Sequence, residues 1–142
     1  MTDADQLWAL LAELELQLPL RQELLERQFS TTFQPARDHN RQLIHVAKTS
    51  AFELELRPSG PGVDAMLVVR FAPPFQIGMA AVHERFPGGH SLPPPPPGWG
   101  PPDAAGSHVA ERPWGQIWFT FFTGNRLVQL SIGPGMRGSP GV

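Results

Sequence analysis

The chain has 142 residues, 41% of them hydrophobic and 17% charged, with no cysteine and a formal net charge of −2. That length predicts one domain with a core that needs no metal or disulfide, and the absent cysteine removes disulfide scaffolds, zinc ribbons, cysteine nucleophiles and thiol redox motifs. The 11 basic residues, all arginine except Lys48, are scattered singly among 13 acidic ones, which excludes the clustered positive charge that nucleic-acid binding requires.

Leu7, Leu10, Leu11, Leu14 and Leu18 recur at helical spacing, with Trp8 beside the stripe and Asp3 or Asp5 as the cap. Pro19 ends this helix near Leu16 to Leu18. Leu20, Leu24, Leu25 and Phe29 predict a second short helix with Pro19 in its first turn. Met1 to Asp5 is acidic where a signal peptide would be basic, and no apolar run approaches the roughly 18–20 residues of a membrane span. A soluble, cytoplasmic protein is expected. The arginine bias suits a GC-rich bacterial genome.

Ser30 to Asn40 reads as a connection. Gln42 to Ala47 is a short strand, and Phe52 to Arg57 alternates Phe52, Leu54 and Leu56 against Glu53, Glu55 and Arg57, the pattern of a half-buried antiparallel strand. Pro58 to Gly62 makes a turn, and Met66 to Phe71 returns with Leu67, Val69 and Phe71 inward. Ile77 to Phe86 predicts a short helix, closed by Pro87-Gly88-Gly89. A Pro/Gly/Trp-rich loop follows at 88–113, with five prolines from Pro93 to Pro97 in a stiff polyproline conformation. Gln116 to Thr123 and Leu127 to Ile132 flank Gly124-Asn125 as a hairpin, and 134–142 is a flexible tail. The expected fold is therefore α+β, a single antiparallel sheet of about five strands packed by an N-terminal helix pair and one short internal helix, in one domain over 1–133. No internal repeat is visible.

Ile77-Gly78-Met79 followed by an aromatic hairpin resembles the small lipoprotein subunits of outer-membrane β-barrel assembly. The order helix, three strands, helix resembles type III secretion chaperones. The lipoprotein cysteine and the chaperones' C-terminal helix are both missing, so neither resemblance is taken as membership.

The hairpin carries the most informative irregularity. Ile117, Phe119 and Phe121 point one way, while Trp118 and Phe122 put large aromatics on the face that should be polar. Either helix or proline-loop segments cover that face, or it meets a partner. The loop 88–113 is too long for a plain connector, and Trp99 or Trp114 can stack on its own prolines or be presented outward.

Chemistry finds little support. His39, His45, His83, His90 and His108 lack metal-ligand spacing, with His83-Glu84 and His90 the nearest approach. No serine sits in a Gly-x-Ser-x-Gly elbow. Glu53 and Glu55 share a strand face and are expected in water beside Arg57, and Gly88-Gly89 and Gly133-x-Gly135 are turn glycines. The leading expectation is a non-catalytic bacterial protein-binding module, immunity-, chaperone- or adaptor-like, without metal or cofactor, whose contact residues are Trp99, Trp114, Trp118 and Phe122. An exposed edge strand in the terminal hairpin would also open a route to a homodimer. The alternative is a small-molecule-binding protein or small enzyme with an apolar pocket between sheet and loop, lined by Trp118, Phe122, Trp99 and His90.

Overall fold

The leucine stripe forms helix α1 (Asp3–Leu16), which turns Leu7, Leu11 and Leu14 into the core. Its cap is Thr2 rather than an aspartate. The Thr2 hydroxyl accepts the Asp5 N–H at 3.1 Å, and the Asp5 carboxylate accepts the Thr2 N–H at 3.3 Å, so each satisfies a donor that the helix leaves open. Helix α2 (Gln22–Phe29) begins after Arg21, leaving Pro19 outside it, and buries Leu25.

The computed structural model describes residues 2–49, 51–58, 65–71, 76–93, 104–122 and 126–133. After the helix pair come β1 (Gln34–Arg37), β2 (Leu43–Lys48), β3 (Phe52–Arg57), β4 (Met66–Phe71), helix α3 (Met79–Arg85), β5 (His90–Leu92), β6 (Ala104–Arg112), β7 (Gly115–Phe122) and β8 (Arg126–Gly133). All pair antiparallel in one sheet of order β1-β2-β3-β4-β8-β7-β6-β5.

The sheet thus has eight strands, not about five, and the fold-class expectation is corrected accordingly. The three unforeseen strands are β1, β5 and β6. Each is poor in the residues that favour strands by themselves: β1 reads Gln-Pro-Ala-Arg, β5 is three residues long, and β6 holds Val109 as its only β-branched aliphatic residue. They form because a neighbour templates them, β2 for β1 and β7 for β6, so pairing overrides local preference. In β6 the register also shifts between Ala104 and Gly106, and Gly106 has φ 130°, a conformation that L side chains rarely adopt. The expected long loop 88–113 is therefore two strands, β5 and β6, joined through residues 94–103, which lie outside the described residues together with most of the proline run. The tail 134–142 and Gly124-Asn125 lie outside them too.

The order is symmetric about β4 and β8. The first half is a helix pair and the second a single helix, each followed by a four-strand meander, and the two meanders meet where Leu67, Val68, Val69 and Arg70 pair with Ile132, Ser131, Leu130 and Gln129. The terminal hairpin therefore lies in the interior of the sheet, with β8 against β4 and β7 against β6, and the edges are β1 and β5. Neither strand of the terminal hairpin is therefore the exposed edge that the homodimer expectation invoked.

One face of the sheet packs against all three helices. Leu54, Leu56, Leu67, Val69, Phe71, Ala110, Ile117, Phe119, Phe121, Leu127, Leu130 and Ile132 form a single cluster with Leu7, Leu11, Leu14, Leu25, Ile77 and Val82. Leu127 joins it because the register shifts by one residue between Thr120 and Phe121, which skips Val128 and turns both Leu127 and Leu130 inward. Among the described residues no helix packs on the opposite face.

Candidate functional site

That opposite face is built from the alternate residues of the same strands. Cross-strand pairing sets Val109, Trp118 and Ser131 in one row, and Ser107, Thr120 and Gln129 in the next. Phe122 stands beside Arg126, and β5 adds Leu92 next to Ser107. Trp118 and Phe122 are half-buried and, four residues apart on one strand, stand about 13 Å from each other. Thr120 lies between them, its hydroxyl 3.4 Å from that of Ser107.

Trp118 is fixed in place. Its indole Nε1 donates to Gln116 Oε1 at 2.9 Å, and Gln116 Nε2 donates to Glu111 Oε1 at 2.7 Å. Gln116 itself is buried. The indole is therefore held by a short relay anchored on the neighbouring strand, and it is half-buried in a row with the buried Val109 and Ser131.

Further along this face lies an ion-pair cluster. Glu55, 7% exposed, receives Arg57 Nε on one oxygen at 2.8 Å and Arg70 on the other at 3.4 Å. Arg57 also meets Asp38 at 2.9 Å, and Asp38 accepts the backbone N–H groups of Asn40 and Gln42. The Arg57 hydrogen bond, helped by these amides, holds the Asp38 carboxyl below its ordinary range. Glu55 is thus buried rather than solvated as expected, because Arg57 and Arg70 close over it. Glu53 alone fits the surface reading, paired with Lys48 at 3.3 Å. With both oxygens of Glu55 engaged, the cluster ties β3 to β4 and, through Asp38, to the end of β1.

The other contact residues expected from sequence fall elsewhere. Trp114, in the tight turn between β6 and β7, packs against the core cluster, with its Nε1 buried. Trp99 lies outside the described residues, and so does any pocket it would line. The structure therefore brings Trp118 and Phe122 onto one face and sets Trp114 apart from them.

Two histidines meet on the helix face, His83 and His108, while His90, paired with Val109, belongs to the other face. His108, 3% exposed, bonds the Phe86 carbonyl through Nε2 at 3.0 Å, and its ring lies 4.4 Å from that of His83 between centroids. The carbonyl can only accept, so Nε2 carries the proton and Nδ1 is a buried lone pair. Burial holds this imidazole below its ordinary range. The Phe86 carbonyl works against that, and His83 and His90 reinforce it. Among the described residues no group of three or more His, Asp or Glu side chains is arranged to hold a metal ion.

Sequence reasoning missed a recess between α1 and the end of α3, closed by β6. Trp8 meets Phe86 edge to face at 5.9 Å, and Arg112 reaches from β6 to Glu15 at 2.9 Å. The only sequence signal was Trp8 flanking the leucine stripe. Glu15 and Arg112 are 97 residues apart, and no local pattern joins them.

Fold and face together define an eight-stranded antiparallel α+β protein with a helix-covered side and an aromatic side that no described helix covers. No protein-family model matches the chain, and no curated protein and no solved structure is similar to it. No helix among the described residues is long and apolar enough to cross a membrane.

Proposed function

We propose that this protein is a non-catalytic binding module that holds another protein against the Trp118 side of its sheet. The observation that carries the reading is the hydrogen-bonded indole of Trp118 on a face that no described helix covers, with Phe122 as a second aromatic one strand repeat beyond Thr120. Aromatic side chains dominate the energy of protein interfaces, and one already fixed in its rotamer loses little freedom on binding. Thr120 and Gln129 lie between the two aromatics, with Ser107 and Arg126 beside them and the Glu55 ion pairs beyond, the mixed aromatic and polar surface that non-obligate interfaces use. An immunity-, chaperone- or adaptor-like role in a bacterial cytoplasm suits such a surface.

The test is reconstitution. The tagged chain is purified from its source cell, its co-purifying protein is produced separately, and the complex is rebuilt from the two pure components. Trp118→Ala is expected to weaken that complex by at least about 30-fold and Phe122→Ala by about tenfold, with circular dichroism unchanged. An affinity indifferent to both substitutions, or a complex lost only through helix-side changes, would reject the reading.

A further inference from the structure

The recess between α1 and α3 differs in chemistry from the aromatic face. It encloses about 520 Å³ and is lined by Trp8, Leu11 and Phe86 with Glu15, Arg85 and Arg112 at its polar margin. That volume is in the range of small-ligand sites. Its charges do not cancel: Glu15 is occupied by Arg112, and Arg85 is left over.

The two arginines are held differently. Arg112 is bonded to Glu15 at 2.9 Å and lies 5.8 Å from the Phe86 ring centre. Arg85 lies over the Trp8 ring at 5.9 Å and makes no ion pair among the described residues. An indole face attracts a guanidinium but consumes none of its N–H donors, so those of Arg85 remain available for a two-pronged bond to a carboxylate. Leu16, 87% exposed, adds an apolar rim where α1 ends. The second recess of similar size, between Thr31 and the β2–β3 strands, has no such surplus, since its Lys48 and Arg70 are paired with Glu53 and Glu55.

We propose that the α1–α3 recess binds a small organic acid, its aromatic or aliphatic body against the wall that Trp8, Leu11 and Phe86 make and its carboxylate on Arg85. This site is separate from Trp118, so it stands or falls independently of the protein-binding reading. The volume of the recess matches a free acid of about ten non-hydrogen atoms.

The experiment titrates the full chain with phenylpropionate and with its neutral amide, following the indole N–H resonances by NMR. The acid is expected to shift the Trp8 resonance and to bind at least about fivefold tighter than the amide. Arg85→Gln, at an exposed position, should bring the two ligands within about twofold without weakening the amide, while Arg27→Gln on α2 leaves the preference intact. Equal binding of acid and amide overturns the proposal, as does a preference that survives Arg85→Gln, shifts confined to other tryptophans, or absence of binding. A Gly-Gly-Phe peptide that binds through its free carboxylate where phenylpropionate does not would also overturn it, in favour of a chain end.

Discussion

His108 must fold uncharged. Its Nε2 proton is committed to the Phe86 carbonyl, and a second proton on Nδ1 would place a buried N–H without an acceptor and a charge beside His83. The folded imidazole therefore titrates below the ordinary value of about 6.5, and the unfolded chain binds the proton first. Stability is full above about pH 6.5 and is lost as pH falls from there through the lowered folded value. Urea unfolding from pH 8 to pH 5 should show this decline, and His108→Gln, which keeps a donor for Phe86, should flatten it. A slope unchanged in that variant would place the effect elsewhere. Next to it, Gly89 shows why a residue type can be legible while its reason is not. The Gly88-Gly89 pair reads as a turn, yet only Gly89 is sterically required, because a Cβ there would strike the Val109 carbonyl and the His108 ring. Gly89→Ala is expected to cost about 1–3 kcal/mol, whereas Gly88→Ala, with open space around it, should be close to neutral; thermal denaturation of the two variants separates them.

The elements divide by where their signal resides. β3 was readable because Leu54 and Leu56 alternate with Glu53, Glu55 and Arg57, and β4 because its β-rich run Met66 to Phe71 follows a Pro/Gly turn, although Val68 on its other face is apolar and buried as well. α1 was readable through its leucine stripe, although its cap was misassigned to the aspartates that follow Thr2. The reciprocal Thr2–Asp5 bonds make a definite expectation: Thr2→Ala should lower stability by about 1 kcal/mol, and Asp5→Ala by a similar or smaller amount, measured by urea unfolding. Equal stability of Thr2→Ala and the parent chain would show that the box contributes nothing to the fold. β6 was not readable. Its inward positions are Gly106, His108 and Ala110, small or polar because Phe119 opposite and Phe86 above fill the space, and its bulge interrupts the alternation. The aromatic surplus of β7 was legible as a pattern, since Ile117, Phe119 and Phe121 are fully buried while Trp118 and Phe122 stand on the other face. The relay Glu111–Gln116–Trp118 that fixes the indole was not, because it depends on the register of β6 against β7.

At the scale of the molecule, two halves, each of helix followed by meander, share one core through the β4–β8 seam, and no described helix covers the other side of the sheet. No sequence repeat announced this arrangement, because the halves have different work: the first carries the Glu55 ion pairs, the second the aromatic pair. The binding reading is tested most directly inside the cell with a photoreactive benzoylphenylalanine in place of Gln129, next to Thr120 and between the two aromatics. A matched substitution at Glu13, exposed on α1, reports the helix side. Irradiation should give one discrete protein adduct from position 129, none from position 13, and no adduct from 129 once Trp118 is replaced by alanine. No adduct from 129, the same adduct from both positions, or an adduct that persists without the Trp118 indole would contradict it.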